Sequence, residues 1–439
     1  MKIMKFGGTS VGTPERMKAL IPLVNDSEKK IVVLSAMSGT TNSLLEICEL
    51  LRSGSAHEAL QKNSLLREKY HHTVDGLYET EKFRKAGHEL VDSLFEHIGS
   101  FSAEQFALPH EKTIVGQGEL ISTALFHMLL QERGARAILL PALNFMRIDS
   151  DEEPDYPHIE ANLKRELEKY PNENIIVTQG FICLNMQGET DNLKRGGSDF
   201  TASIIGSAVN ASEIQIWTDI DGIHNNDPRF VENTRVIHEL SFDEAAELAY
   251  FGAKILHPST INPAREKNIP VRLKNTLQPM DVGTLITSSH KFEDYKAVAA
   301  KDGISVIRIH SARMLMAYGF LRKVFEIFEA RKTPIDMIAT SEVSVSITID
   351  NPGHINEIIS ELEKLGTVET EHNQTIISII GDFRPGRKGS APEIFEALNT
   401  IPLKMISYGG SPLSISLLID SLDKTAALRL LSKHLFKQQ

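Results

Sequence analysis

Two stretches of the chain couple glycines, a cation and the start of a helix. Near the N-terminus, Lys5-Phe6-Gly7-Gly8-Thr9-Ser10-Val11-Gly12 follows an apolar run and precedes Thr13-Pro14, residue types of a helix N-cap and first helical position. Backbone N–H groups in such a turn converge on an anion beside the helix N-terminus, where the dipole favours negative charge. The lysine precedes the glycines and no Gly-Lys-Ser/Thr follows, so this is not a Walker A loop, and the glycine spacing is not that of a dinucleotide fingerprint. The second stretch, Lys194-Arg195-Gly196-Gly197-Ser198-Asp199, opens a small-residue helix over 201–208. It adds a guanidinium suited to carboxylate or phosphate and a counter-charge in Asp199. Singly these are a glycine corner and a capped turn with an ion pair. Together in one α/β domain they suit phosphoryl transfer between two substrates, which relies on positioning and cationic stabilisation.

A third stretch, Trp217-Thr218-Asp219-Ile220-Asp221-Gly222, ends an apolar run in polar residues, and Asp227-Pro228-Arg229 follows. Asp-Gly and Asp-Pro pairs make turns on their own; after a sheet strand they can also contact ribose and polyphosphate. Lys254 comes just past a helix end, where a lysine answers the helix dipole. The adjacent His71 and His72 read as a solvated helix face rather than a metal site, because neighbours on a helix point in different directions. Cys48 and Cys183 lack the spacing of a zinc or redox motif and read as buried free thiols.

The elements that must position these groups are legible in the pattern. Short β-rich apolar runs at 2–6, 30–35, 137–140, 174–178, 213–218 and 270–273 alternate with helical stretches, the signature of crossover units and a buried, mostly parallel sheet. Residues 52–112 are charged and helical in period, an all-helical insertion. The last third carries an internal repeat. The segment from Val324 is echoed from Ala391, with Glu326 matching Glu393, Met337 matching Met405 and Asp350 matching Asp420. Each copy reads βαββα, giving two α+β units of about 70 residues joined to the rest by the polar stretch 276–295.

The 439 residues imply two or three domains, and 41 % hydrophobic with 24 % charged residues is the composition of a folded globular protein. A net charge of -11 gives no field for nucleic acid or anionic membranes, and no apolar run reaches the ~18 residues of a membrane span. The N-terminus lacks a signal-peptide h-region, so a cytoplasmic location is expected.

KFGGTS at the N-terminus, SGTTN from Ser38, GQGE from Gly116, GGSD from Gly196, TDIDG from Thr218, DPR from Asp227, FGAKILHP from Phe251 and TSEVSVS from Thr340 occur in order. In these strings the chain resembles the aspartate kinases, monofunctional and lysine-sensitive-like with tandem ACT domains, within the amino-acid kinase superfamily. The resemblance implies an amino-acid kinase fold, α/β with a mostly parallel sheet sandwiched by helices, over residues 1–290. Two ferredoxin-like ACT domains would follow over 300–366 and 367–439, interleaved. It implies an ATP:L-aspartate 4-phosphotransferase making 4-phospho-L-aspartate and ADP, the first step towards lysine, threonine and methionine. Lys5 would offset charge on the transferred group and Asp199 would orient it. Thr41, Glu119, Arg195 and Ser198 would hold L-aspartate. Gly7, Gly8, Ser10, Thr218, Asp219, His224, Arg229 and Lys254 would join Lys5 in binding ATP, with Mg²⁺ carried mainly by its phosphates rather than by a protein metal site. An end-product amino acid, L-lysine first and threonine second, would bind the ACT pair at Met314, Gly319, Leu321, Ile335, Asp336, Thr340, Ser341 and Glu342. Asp336 would take its ammonium group. Met316, Ala317 and His224 depart from the commonest residues at their positions. A homo-oligomer, dimer or tetramer through the ACT domains, is implied. The alternatives are a kinase of another acidic amino acid, such as glutamate or acetylglutamate, and an amino-acid sensor with an inactive kinase domain.

Overall fold

The computed structural model of the chain describes all residues except 194–195, 253–257, 290–292, 315–317, 385–389 and 437–439. Two compact units emerge. The first takes Met1–Ile223, His238–Phe242 and Leu256–Ser289; the second takes His224–Ile237, Asp243–Ile255 and His290–Gln439.

The first unit is built on an eight-stranded sheet. Its strands are β1 (Lys2–Phe6), β2 (Lys30–Leu34), β3 (Ala137–Leu139), β4 (Ile175–Gln179), β7 (Glu213–Thr218), β8 (Glu239–Ser241), β9 (Val271–Asn275) and β10 (Thr284–Thr287), in the order β3-β4-β2-β1-β7-β9-β10-β8. A separate hairpin pairs β5 (Ile182–Leu184) with β6 (Thr190–Asn192). All neighbours in the large sheet run parallel except β9 and β10. The six strands expected from the apolar runs are present. The stretch 276–295, expected as a plain join, instead contains β10: Gly283 at φ +69° turns the chain back beside β9, where an added Cβ would lie 1.9 Å from the Leu273 carbonyl oxygen.

Alternation along the strands divides the core. Met4, Phe6, Val32, Leu34, Ile175 and Val177 share one cluster with α1 (Pro14–Val24), α2 (Thr40–Arg52), α3 (Ala56–Leu77), α4 (Glu81–Gly99) and α5 (Leu108–Glu132). Also present are α6 (Tyr156–Glu168), α7 (Gly197–Ala208) and α9 (Asn262–Glu266), while α8 (Phe242–Tyr250) belongs to the second unit from Asp243 onward. α7 packs on the opposite face, its Gly206 so close that a Cβ would meet the Ile214 side chain at 2.5 Å. α5 is long and apolar enough on composition alone to cross a bilayer, but 72 % of its apolar window is buried inside the fold. α3 and α4 form the expected helical insertion. His71 departs from its expectation: its Nδ1 lies 2.5 Å from His88 Nδ1 and its Nε2 2.8 Å from Asp92, so it faces α4 while His72 is exposed. Both cysteines are buried, which pushes each thiol up to about 12.

The second unit carries a six-stranded antiparallel sheet, ordered β12-β13-β11-β14-β16-β15. Its strands are β11 (Tyr295–His310), β12 (Ile338–Thr340), β13 (Ser344–Ile349), β14 (Thr367–Gly381), β15 (Met405–Ser407) and β16 (Ser414–Asp420). The helices are α10 (Phe320–Ala330), α11 (Ile355–Leu362), α12 (Ser390–Ala397) and α13 (Lys424–Leu435). β11 starts nine residues before Ile304 and is shared: Ile307 and Ile309 enter the core under α10 and α11, whereas Val298 enters the core under α12 and α13.

Candidate active site

The two glycine-rich loops meet at the C-terminal ends of β1, β2, β4 and β7, where parallel sheets collect ligands. Lys5, 8 % exposed, leaves β1 on the face opposite Met4 and Phe6. Its Nζ lies 2.6 Å from Asp199 Oδ1 in the first turn of α7. Gly7 follows beneath that ammonium, and a Cβ there would sit 3.5 Å from Nζ. Gly8 has no room for a side chain, because a Cβ would lie 2.8 Å from the Ala36 carbonyl oxygen. The loop is tied to β7: Gly7 N–H donates to the Trp217 carbonyl (3.2 Å), Ser10 Oγ reaches Thr276 Oγ1 (3.2 Å), and Thr276 Oγ1 donates to the Thr218 carbonyl (2.9 Å). Thr218 Oγ1 donates to Asp219 Oδ1 at 3.2 Å.

Beside Lys5 opens a cavity of about 320 Å³ walled by Gly8, Ser38, Thr41, Glu119, Phe181 and Ser198, among others. Two helices point their N-termini at it. α2 begins after Gly39 (φ +82°) and α7 after Gly196 (φ +63°), and neither start carries a side-chain cap, in contrast to α1, whose Thr13 accepts from Arg16 N–H. Open N-terminal N–H groups with the dipole behind them attract carboxylates. Glu119, from α5, supplies the opposite charge: Oε1 accepts from Ala36 N–H at 3.1 Å, while Oε2 is buried without a hydrogen-bond partner. Burial pushes its carboxyl up to about 7, opposed by the Ala36 N–H and the Lys5 ammonium. A carboxylate left with a free buried lone pair invites an ammonium group.

The structure thus brings together Lys5, Gly7, Gly8, Ser10, Thr41, Glu119, Ser198, Asp199, Thr218 and Asp219 in the first unit. His224, bonded through Nδ1 to Thr234 Oγ1 at 2.7 Å, and Arg229, forked onto Asp227, belong to the second unit. Arg195, Lys254, Met316 and Ala317 lie outside the described residues. Sequence reasoning missed Ser35, whose hydroxyl donates to Ser198 Oγ at 3.0 Å, and Gly180, where a Cβ would sit 2.3 Å from Ser198. Both directly follow a parallel strand, a position that could have flagged them. It also missed Phe181, held at φ +67° by Thr201 Oγ1, which accepts from its N–H at 2.9 Å. Nothing in a lone phenylalanine announces that conformation.

In the second unit Met314 ends a short 3-10 turn, Gly319 (φ +80°) precedes α10, and Leu321 lies on it. Ile335 and Asp336 precede β12, Thr340 ends it, and Ser341 and Glu342 are exposed in the turn to β13. Asp336 stands apart, its side chain 1 % exposed and its Oδ1 accepting from Lys301 Nζ (2.7 Å) and Tyr250 Oη (2.9 Å). Burial holds its carboxyl above the usual range, against the Lys301 ammonium.

A model of the amino acid kinase family matches residues 1–275, and one of the ACT domain matches 377–435. The lysine-sensitive aspartokinase 3 of Escherichia coli is 33 % identical over 452 residues, covering 99 % of each chain. The crystal structure of E. coli aspartokinase III with aspartate and ADP (R-state) matches at TM-score 0.84 and 33 % identity, over 100 % of both chains. That of the same enzyme with lysine and aspartate (T-state) matches at TM-score 0.82 and 32 % identity, again over 100 % of both.

Proposed function

The chain belongs to the amino acid kinase family, among its aspartokinases, and from that membership we propose how it moves the γ-phosphoryl group of ATP to L-aspartate. The observation that carries the reading is the cavity itself. Two uncapped helix N-termini and a buried carboxylate with an unpaired oxygen complement a small molecule with two carboxylates and one ammonium. Glu119 takes the α-ammonium, Thr41 and Ser198 lie beside the carboxylates, and Arg195 grips the α-carboxylate. The acceptor β-carboxylate is already ionised near pH 7, so no base is needed. Lys5 faces both reacting groups and offsets the charge gathering on the transferred phosphoryl, with Asp199 holding its ammonium in place. The products are 4-phospho-L-aspartate and ADP. Gly7, Gly8, Ser10, Thr218, Asp219, His224, Arg229 and Lys254 bind the nucleotide, which brings Mg²⁺ on its phosphates as part of the substrate.

The six-stranded sheet is read as the regulatory part, where L-lysine docks at Asp336 together with Met314, Gly319, Leu321, Ile335, Thr340, Ser341 and Glu342, favouring a less active state. Exposed apolar side chains at Ile338, Val343, Ile406 and Tyr408 support a homo-oligomer formed through this sheet. As an enzyme of free aspartate and ATP, it is read as working in the cytoplasm.

The test is acyl-phosphate formation, trapped as hydroxamate, with aspartate and glutamate compared. Lys5→Met is expected to lower kcat by about 10²–10³. A product formed equally from glutamate, or turnover unchanged in Lys5→Met, refutes the reading.

A further inference from the structure

The helices α3 and α4 supply none of the residues that wall the cavity, yet they meet that wall from behind. Tyr70 of α3 is 1 % exposed, its ring tilted against Phe95 of α4 with centroids 5.6 Å apart. Its hydroxyl lies 2.8 Å from Oγ1 of Thr40, which is itself fully buried. One residue earlier, Lys69 Nζ donates to the Ser38 carbonyl at 3.4 Å. Burying a phenol is unfavourable unless its hydroxyl is bonded, and a phenylalanine would fill the same space without that demand. The hydroxyl therefore calls for an account beyond packing.

Thr40 is the first residue of α2, between the left-handed Gly39 and the wall residue Thr41. Because α2 carries no side-chain cap, its first turn is tied locally only through the backbone, by Thr40 N–H to the Met37 carbonyl (3.0 Å) and Ser43 N–H to the Gly39 carbonyl (3.1 Å). Thr40 is also held from two sides. Tyr70 bonds its hydroxyl, and on its other flank Gly118 of α5 comes so close that a Cβ would stand 3.2 Å from Thr40 Cγ2 and 2.8 Å from Ala36 Cβ. Ala36 is the residue whose N–H the Glu119 carboxylate accepts. One threonine thus joins the open helix start to the turn of α5 that bears the ammonium-binding carboxylate.

We propose that Tyr70 is a positioning residue for the amino-acid substrate: through Thr40 it sets the spacing between the open N-terminus of α2 and Glu119, and so the helical insertion tunes the fit of the acidic amino acid. This rests on the assignment of the cavity to that substrate. The role acts on substrate binding and not on phosphoryl transfer, which separates it from a general contribution to the fold.

Steady-state kinetics of the full chain test it, using Tyr70→Phe, Thr40→Val and the double variant. Each single change removes the same hydrogen bond and keeps the volume. The expected result is an aspartate KM raised about three- to tenfold in either single variant, with the KM for ATP and kcat within about twofold of the parent and the double variant no worse than a single one. An unchanged aspartate KM in Tyr70→Phe, an equal change in both KM values, or additive effects in the double variant overturns the proposal. Wild-type enzyme with no aspartate-dependent turnover overturns the assignment of the cavity, and the role of Tyr70 falls with it.

Discussion

Glu119, proposed to take the substrate ammonium, also carries a charge that folding must bury. Its carboxyl is raised from 4.5 to about 7, so the folded chain holds the proton more tightly than the unfolded one. The stability gained this way is full below about 4.5 and lost as pH rises through 7. Glu119→Gln is therefore expected to melt higher than the parent at pH 8, by on the order of 3 kcal/mol, with the gap narrowing towards pH 5. Activity responds in the opposite sense. Ionised Glu119 is the form that pairs with an ammonium, so the aspartate KM of the parent should climb as pH falls below about 7, while the Gln variant shows a high, flat KM. A parent KM that is level between pH 6 and 8 would contradict this. Lys5, Asp199 and the glycines of the site were legible because loops between strands and helices carry few other charged, glycine-rich strings, whereas Glu119, inside α5, was marked only by the family resemblance. Ser35, Gly180 and Phe181 were not, because their importance comes from what approaches them in space: the Ser198 side chain in the first two cases, the Thr201 hydroxyl in the third.

α8 is the clearest case of an element whose role the sequence concealed. The sequence marks it only as a short helix, yet three of its side chains point to strands of the second unit. Glu244 pairs with Lys296 of β11 at 2.9 Å, Glu247 accepts from Ser414 Oγ of β16 at 3.0 Å, and Tyr250 donates to Asp336. The spacing of three residues puts them on one side of the helix. Lys296 and Glu244 have side chains 1 % and 2 % exposed, so removing Glu244 leaves the Lys296 ammonium as a buried charge. Glu244→Met should cost about 3–5 kcal/mol in denaturant unfolding, and Lys296→Met combined with Glu244→Met should recover most of that loss. A double variant as unstable as the single one would show that packing, and not the stranded charge, sets the loss. Periodicity could locate α8, but partners 52 and 167 residues away leave no local trace.

The sequence repeat reads as two βαββα copies, and the family resemblance implied that the two interleave. The chain makes a single sheet in which β11 and β14 run through both hydrophobic clusters, Ile307 and Val368 at one and Val298 and Ile377 in the other. A repeat reports what each copy is made of, while strand length and sharing depend on pairing across the copies, such as Val298 with Ile379 and Ile307 with Thr370. The two clusters are therefore expected to open together. Hydrogen exchange should give the Val298 and Ile307 amides the same opening free energy, and a difference above about 1.4 kcal/mol, tenfold in population, would show separate units.

The chain passes between its two compact units five times, at 223, 237, 242, 255 and 289, so a chimera that exchanges regulation between two such enzymes cannot be spliced at one point near residue 290. The donor would also have to bring its own versions of His224–Ile237 and Asp243–Ile255, because the partners of Glu244, Glu247 and Tyr250 would otherwise come from a different protein.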